Sequence, residues 1–224
     1  MKARRPIALD ARKQPRQARS AITVDAIFEG TIQVLLSVGS TRLNTTRVAE
    51  RAGVSVGTLY QYFPNKQALL LAVLERYLTQ LMDTLEAACR DHRGATAEVM
   101  TEGAVKAYLL VKAKEPEASR ALYLIAMELD SRGLVEAAIQ RAEQVIAAML
   151  ATASDSRFSD PRAVARMLFA AIHGTVRMFY EREISARIRK DIERQLTMMC
   201  CSYVAATAVA RRGSEISSSA DSRS

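Results

Sequence analysis

Residues 45–66 constrain the fold of this chain more than any other segment, because their pattern predicts two short helices joined by a tight turn. The segment has the sequence TTRVAERAGVSVGTLYQYFPNK. The first helix has a short apolar face formed by Val48, Ala49 and Ala52. Thr45 or Thr46 can cap its start, because a hydroxyl there accepts an otherwise unpaired backbone N–H. Gly53 suits the end of this helix, where the backbone often needs a positive φ.

The second predicted helix is short and has little apolar surface. Ser55 can cap its start, and Pro64 prevents simple continuation beyond its end. Leu59 and Phe63 are four residues apart, so they share the face that we expect to be buried. The other faces carry Val56, Gly57, Thr58, Tyr60, Gln61 and Tyr62. A helix of this size and surface is poorly suited to burial and well suited to enter the major groove of DNA.

The stretch AGVSVGTLYQYFPNK resembles the signature of the TetR family of transcriptional repressors, around the recognition helix and the start of the following helix. The close resemblance covers residues 20–74, and beyond them it is architectural only. It implies a helix-turn-helix DNA-binding domain followed by a helical domain that binds a small-molecule effector and forms a homodimer. It also implies DNA contacts by Thr58, Lys66 and the tyrosines of the second motif helix.

Three residues at the start of the first motif helix are candidates for DNA contact: Thr45, Thr46 and Arg47. A helix N-terminus with two hydroxyls is a phosphate site by geometry. Arg47 can reach a phosphate or the edge of a guanine. For one of the two threonines, the alternative role is capping alone.

Each candidate on the second motif helix has a distinct expected role. Val56 can offer a methyl group to thymine, Gly57 allows close backbone approach, and Gln61 is the best residue for reading adenine. Tyr60 and Tyr62 carry hydroxyls that suit phosphate oxygens, with packing against the first helix as the alternative. For Lys66, the alternative to a phosphate contact is a solvated position at a helix start.

Positive charge is concentrated at the N-terminal end. Residues 1–66 contain 11 Lys and Arg against four Asp and Glu, whereas the remaining residues contain 21 and 20. The net charge of +8 therefore lies almost entirely beside the predicted DNA-binding motif. This asymmetry favours a polyanionic partner at that end, with a solubilising basic tail as the alternative. Six basic residues of the N-terminal arm could follow the DNA backbone or enter the minor groove: Arg4, Arg5, Arg12, Lys13, Arg16 and Arg19.

Apolar residues recur at helical spacing through the chain, and no strand period persists, so we predict an all-α fold of about nine helices. We predict a flexible arm at 1–19, a three-helix DNA-binding domain at 20–66, an effector-binding and dimerisation domain at 67–212, and a disordered tail at 213–224. The helices are expected near 20–37, 45–52, 56–62, 66–89, 96–114, 117–131, 134–153, 161–182 and 188–211. The helix at 66–89 would connect the two domains.

The C-terminal half contains material for a binding pocket but no signature of an enzyme. The candidate pocket residues are Tyr108, Tyr123, Met127, Met167, Phe169 and His173. Each could instead belong to the ordinary core, and a lone histidine among apolar residues is more often a satisfied core group than a ligand. We expect an apolar or aromatic effector with one or two hydrogen-bonding groups.

The helices near 161–182 and 188–211 are expected to form a four-helix dimer interface. The first has an apolar stripe with small residues: Ala163, Val164, Met167, Ala170, Ala171, Gly174 and Met178. The second continues with Ile192, Leu196, Met199, Tyr203, Ala206 and Val209 or Ala210. Cys200 and Cys201 lie beside this stripe, and we expect them to be buried reduced thiols rather than redox sensors.

No metal site, cofactor or membrane span is expected, and three cysteines without metal-ligand spacing fit a reducing cytoplasm. The leading hypothesis is a ligand-responsive dimeric repressor of a palindromic operator. Three alternatives remain: a regulator without a small-molecule ligand, an enzyme that uses His173, and a non-specific architectural DNA-binding protein.

Overall fold

The chain is almost entirely helical in a computed structural model that describes residues 14–114, 116–180 and 185–210. Its described helices are α1 Gln14–Arg42, α2 Thr45–Ala52, α3 Val56–Tyr62, α4 Lys66–Asp91, α5 Ala97–Lys114, α6 Pro116–Glu128, α7 Arg132–Leu150, α8 Pro161–Tyr180 and α9 Ala186–Thr207. Two short strands, β1 Ser156–Arg157 and β2 Val209–Ala210, pair antiparallel. Within the residues that the structure describes, the predicted all-α class of about nine helices is confirmed.

The N-terminal helix departs from its prediction at both ends. It begins at Gln14, so the predicted arm is wrong for residues 14–19, and residues 1–13 lie outside the described chain. Gly39 interrupts the helical backbone just beyond the predicted end at residue 37, with φ 76° and ψ 168°. Helical structure then resumes as far as Arg42, because the interruption affects only one residue. The predicted tail at 213–224 also lies outside the described residues.

The end of the chain differs as well. We predicted helix through residue 211, but α9 ends at Thr207 and residue 211 is outside the described part. Val209 and Ala210 instead pair with Arg157 and Ser156 in the loop between α7 and α8. Apolar content alone could not reveal this, because the competing backbone partner lies about 50 residues earlier in the chain.

The chain divides into two compact units. The first comprises the described residues up to Thr79 together with 116–135, so it contains α1, α2, α3, the first half of α4 and α6. This differs from the predicted boundary at residue 66. Leu122 and Ile125 of α6 explain the difference, because they are buried in the same core as Leu69 and Val73 of α4.

Helix α1 contributes one of its faces to the core of this first unit. Over Ser20–Arg42 it is long and apolar enough to cross a membrane by length and composition, although the sequence analysis expected no membrane span. However, Ile27, Val34 and Leu35 are buried within the unit. Burial of one apolar face is what a core helix of a helical domain shows, and α1 packs in that way.

The second unit contains the rest of α4 with α5, most of α7, α8 and α9. Its core is a single cluster to which α4 contributes Leu81 and Leu85, and α5 contributes Met100 and Tyr108. Pro116 and Pro161 are the first residues of α6 and α8, where a missing N–H costs nothing. Asp160 caps the start of α8, since its Oδ1 accepts from the backbone N–H groups of residues 162 and 163, each at 3.0 Å.

Candidate nucleic-acid interface

The first motif helix, α2, is capped by a residue that the sequence analysis did not select. Asn44 is the N-cap, and its side-chain oxygen accepts from the backbone N–H of Arg47 at 2.9 Å. The proposed caps Thr45 and Thr46 were therefore wrong, since both lie inside the helix. The available signal was the asparagine itself, because asparagine is at least as good an N-cap as threonine. Neither threonine hydroxyl is therefore needed as the cap, and that of Thr45 lies 3.1 Å from the hydroxyl of Tyr60.

The turn between the motif helices depends on Gly53, as predicted. Its φ is 67° and ψ is 29°, the left-handed conformation that glycine adopts without steric penalty. Its N–H donates to the carbonyls of Ala49 and Glu50, which closes the end of α2. The buried residues of α2 are Val48 and Ala49. Together these features fix the direction in which the chain enters α3.

The second motif helix, α3, is anchored by Leu59 and Phe63, which are buried as predicted. The ring of Phe63 lies 5.6 Å from that of Phe28, between centroids. Ser55 caps the helix, and its Oγ accepts from the backbone N–H of Thr58 at 3.0 Å. The same Oγ lies 2.8 Å from the Thr58 hydroxyl. Burial of one side therefore orients the remaining faces of α3 away from the core.

None of the ten predicted DNA-binding residues is buried. Thr46, Arg47, Gly57, Tyr60 and Gln61 are exposed, and Thr45, Val56, Thr58, Tyr62 and Lys66 are partly exposed. The two tyrosines differ, because Tyr62 packs against the core of the unit whereas Tyr60 has 47% of its surface exposed. The structure thus supports the packing alternative for part of the Tyr62 ring and leaves the Tyr60 ring outside the core.

Lys66, the first residue of α4, is tied to the end of α1. Its Nζ donates to the backbone carbonyl of Ser40 at 2.7 Å. The Ser40 hydroxyl in turn donates to Oε1 of Glu128, at the end of α6, at 2.9 Å. An ammonium has three donors, so this bond orients Lys66 without using its full capacity. Sequence reasoning missed Ser40, since nothing in its neighbourhood marks a lysine partner 26 residues away.

Three of the six predicted pocket residues meet in the second unit. The Tyr108 hydroxyl lies 2.8 Å from Nδ1 of His173, and the Phe169 ring stacks on that of His173 with centroids 5.8 Å apart. Tyr108 meets Phe169 edge-on at 5.6 Å. Tyr123 and Met127 instead lie on α6, in the first unit, and Met167 has 56% of its surface exposed.

Burial lowers the pKa of His173, and the nearby cations Lys112 and Arg177 lower it further. The imidazole is therefore neutral at pH 7. A neutral ring that shares a hydrogen bond with tyrosine and stacks on phenylalanine is a satisfied core group, and this contact network accounts for His173 without a catalytic role.

The structure also shows the burial of the α9 cysteines and of the residues on the predicted dimer helices. Cys200 is buried, and burial raises its pKa to about 12; Cys201 is only partly buried, so the expectation of burial holds for one of the pair. In α8, Met167, Ala170, Gly174 and Met178 are exposed with Ala163, whereas Val164 is part of the core of its own unit. In α9, Met199 and Ala206 are exposed and Leu196 is buried.

Comparisons with known proteins agree on one family. Residues 27–73 match the family described as "Bacterial regulatory proteins, tetR family". Residues 96–203 match the family described as "Tetracyclin repressor-like, C-terminal domain". The first range contains α2, α3 and the Gly53 turn, so the match falls on the helices that form the candidate interface. The two ranges together span more than half of the chain.

Curated relatives match over short stretches of the chain. The chain is 44% identical over 55 residues to the tetracycline repressor protein class C of Escherichia coli, which is 25% of each chain. It is 44% identical over 50 residues to the transcriptional repressor KstR of Mycolicibacterium smegmatis, which is 22% of this chain and 24% of KstR. The chain thus matches about a quarter of the length of these relatives.

Solved structures match over most of the chain. SmeT, the repressor of the Stenotrophomonas maltophilia multidrug efflux pump SmeDEF, has a TM-score of 0.60 at 22% identity, over 86% of this chain and 94% of SmeT. A bacterial regulatory protein in the tetR family from Rhodococcus RHA1 has a TM-score of 0.62 at 19% identity, over 81% and 96%. At these identities the likeness establishes the fold.

Proposed function

The chain belongs to the TetR family of DNA-binding transcriptional regulators, and from this premise we propose that it is a repressor released from its operator by a small-molecule effector. In this proposal a homodimer binds a palindromic operator, and the effector is a small apolar or aromatic molecule. The repressor would act in the cytoplasm, where both operator and effector are accessible.

The observation that carries the proposal is the surface of α3. Leu59 is fully buried beneath the helix, whereas Gly57, Tyr60 and Gln61 are exposed. A short helix held from one side and polar on the other fits the major groove, and its first turn approaches the base edges. Two such helices in a dimer would enter successive major grooves, roughly 34–36 Å apart or a multiple of that distance.

Individual residues take separate parts in this proposal. Gln61 would read adenine through its amide, and Val56 would contact a thymine methyl group. Thr46, Arg47 and Lys66 would bind phosphates, which position the protein without specifying sequence. Lys66 is supported in this role by its bond to the Ser40 carbonyl, which limits the positions that its ammonium can take.

The exposed face of α8 supports dimerisation. Ala163, Met167, Ala170, Gly174 and Met178 recur at helical spacing and are all exposed in the single chain. Met167 and Met178 have 56% and 63% of their surface exposed. A contiguous apolar face of this kind is unfavourable in water and typical of an interface. We propose that α8 and α9 of two subunits pack together through it.

The effector proposal rests on the aromatic cluster of the second unit. Tyr108, Phe169 and His173 combine apolar rings with one hydrogen-bonded pair, which is the chemistry that an aromatic effector with a polar group would match. Tyr123 and Met127 lie in the first unit and Met167 lies on the exposed face of α8, so the effector proposal does not include them. Helix α4 contributes residues to both units, so a shift of this helix on effector binding would change the population able to bind DNA.

A pair of substitutions tests the assignment of base and phosphate contacts. Gln61→Ala should cost roughly 1–3 kcal/mol on the operator and relax selectivity at one position. Lys66→Ala should weaken binding to all DNA similarly and reduce the salt slope by about one. If both variants affect operator and random DNA equally, Gln61 does not read a base.

The proposed induction has its own test, in which candidate effectors are added at saturating concentration. If a ligand binds and operator affinity is unchanged, that ligand does not release the repressor.

A further inference from the structure

The hydroxyls of Thr45 and Tyr60 form a direct bridge between the two motif helices. Thr45 is the first residue of α2, Tyr60 lies in the second turn of α3, and their oxygens are 3.1 Å apart. The residues are 15 positions apart, so the bond is a tertiary contact rather than part of either helix. Neither residue serves as the cap of its helix, because Asn44 and Ser55 have those positions.

Packing does not hold the Tyr60 ring in place. Its surface is 47% exposed, and it is absent from the partly buried residues that pack on the described core, which include Tyr62. An exposed tyrosine can sample several rotamers, and the loss of that freedom on binding costs affinity. The bond to Thr45 is therefore the described contact that restricts the Tyr60 hydroxyl before DNA arrives.

We propose that Thr45 is a positioning residue for Tyr60 and that the two hydroxyls bind one operator phosphate as a unit. A phosphate oxygen only accepts, so Tyr60 must donate its proton to the phosphate. Its phenolic oxygen then accepts from the Thr45 hydroxyl. A chain of this kind strengthens each bond, because the first donor polarises the second. The inference rests on the proposed DNA-binding function and adds to it a role for Thr45 that acts through another side chain.

A double-mutant cycle measures whether the two hydroxyls act together. Tyr60→Phe should weaken operator binding about tenfold or more, the range for a hydrogen bond to a charged group. Thr45→Val should weaken it by a smaller factor, and the double variant should be no weaker than Tyr60→Phe alone. Thr45→Ser keeps the hydroxyl and should bind as the unchanged protein does. Thr46→Val is the matched control, because Thr46 is the exposed neighbour, and its effect should multiply with that of Tyr60→Phe.

A second readout separates positioning from a structural role. Single phosphates of the operator are replaced in turn by neutral methylphosphonates, and the affinity penalty is measured for each protein. At one phosphate per half-site, the penalty should disappear in Tyr60→Phe, shrink in Thr45→Val and persist in Thr46→Val. If the bond merely stabilised the packing of α2 on α3, its removal would lower the melting temperature. The affinity penalty at every phosphate would then be unchanged.

Failure of the positioning role can be distinguished from failure of the proposed DNA-binding function. If the penalties of Thr45→Val and Tyr60→Phe multiply, or if Thr45→Val leaves every methylphosphonate penalty unaltered, the positioning role is overturned. If no operator can be selected, the proposed function fails. In that case the same cycle on a random duplex still decides whether the two hydroxyls are coupled, because phosphate contacts do not depend on sequence.

Discussion

Replacement of Gly30 by alanine should destabilise the DNA-binding unit, although alanine is the better helix former. Gly30 is buried in α1, opposite the end of α2. A Cβ at this position would lie 3.1 Å from the backbone nitrogen of Ala52, 3.2 Å from its Cβ and 3.3 Å from its Cα. The two backbone atoms cannot rotate away, and Ala52 directly precedes Gly53, whose left-handed conformation sets the turn.

The expected magnitude follows from two opposing terms. A glycine-to-alanine change in a helix interior gains roughly 0.5–1 kcal/mol, and overpacking of a close contact costs about 1–3 kcal/mol. We therefore expect a net loss of roughly 0–2.5 kcal/mol, with about 1 kcal/mol at the centre of the two ranges. Because relief of the contact must move α2 away from α1, operator affinity should fall as well, through displacement of the Thr45–Arg47 turn.

The assay is urea denaturation followed by far-ultraviolet circular dichroism, together with operator binding at fixed salt. Gly133→Ala is the control, because a Cβ there meets no atom within 4 Å and the change should be neutral or stabilising. If Gly30→Ala raises stability as the control does and leaves operator affinity unaltered, the close approach of α1 and α2 does not position the motif.

Three further predictions concern the capping residue, the buried histidine and the thiols. Asn44→Ala should lower the free energy of unfolding by about 0.5–2 kcal/mol, whereas Thr46→Ala should not, and thermal denaturation compares them. The pKa of His173 is below the usual 6.5 in the folded chain, so the unfolded chain binds the proton more readily, and stability should fall as pH drops through 6.5; His173→Gln should flatten this dependence, and an unchanged slope would contradict it. Alkylation of the folded chain should modify Cys201 first, because burial raises the pKa of Cys89 and Cys200 to about 12, and mass spectrometry of the modified peptides checks the order.

The local pattern of the motif was sufficient to predict its helices and its buried residues. Leu59 and Phe63 follow from helical spacing, and Gly53 follows from the need for a positive φ, because these constraints act between neighbours in the chain. The prediction of the α2 cap was wrong for a local reason, because Asn44, Thr45 and Thr46 are all residue types that cap helices. Asparagine is the preferred cap of the three, but threonine is also acceptable, so cap preference alone did not fix the start of the helix.

Features that depend on distant partners could not be predicted. The pairing of β1 with β2 and the bond from Lys66 to Ser40 join residues far apart in sequence. The assignment of α6 to the DNA-binding unit depends on Leu122 and Ile125, whose apolar character fits either core equally well. The contact between Tyr108 and His173 likewise depends on how α5 and α8 pack. Residue type alone was sufficient only to mark both as candidate pocket residues.

A dimeric repressor binds one specific DNA sequence with both of its subunits. The most direct test is selection of bound duplexes from a random DNA pool with the purified full-length chain, followed by sequencing. The proposed dimer should enrich a palindrome whose half-sites lie about one helical turn apart or a multiple of it. The genes beside that sequence would narrow the range of candidate effectors. Recovery of unrelated sequences, with binding that depends only on salt, would contradict this proposal and indicate non-specific association with DNA.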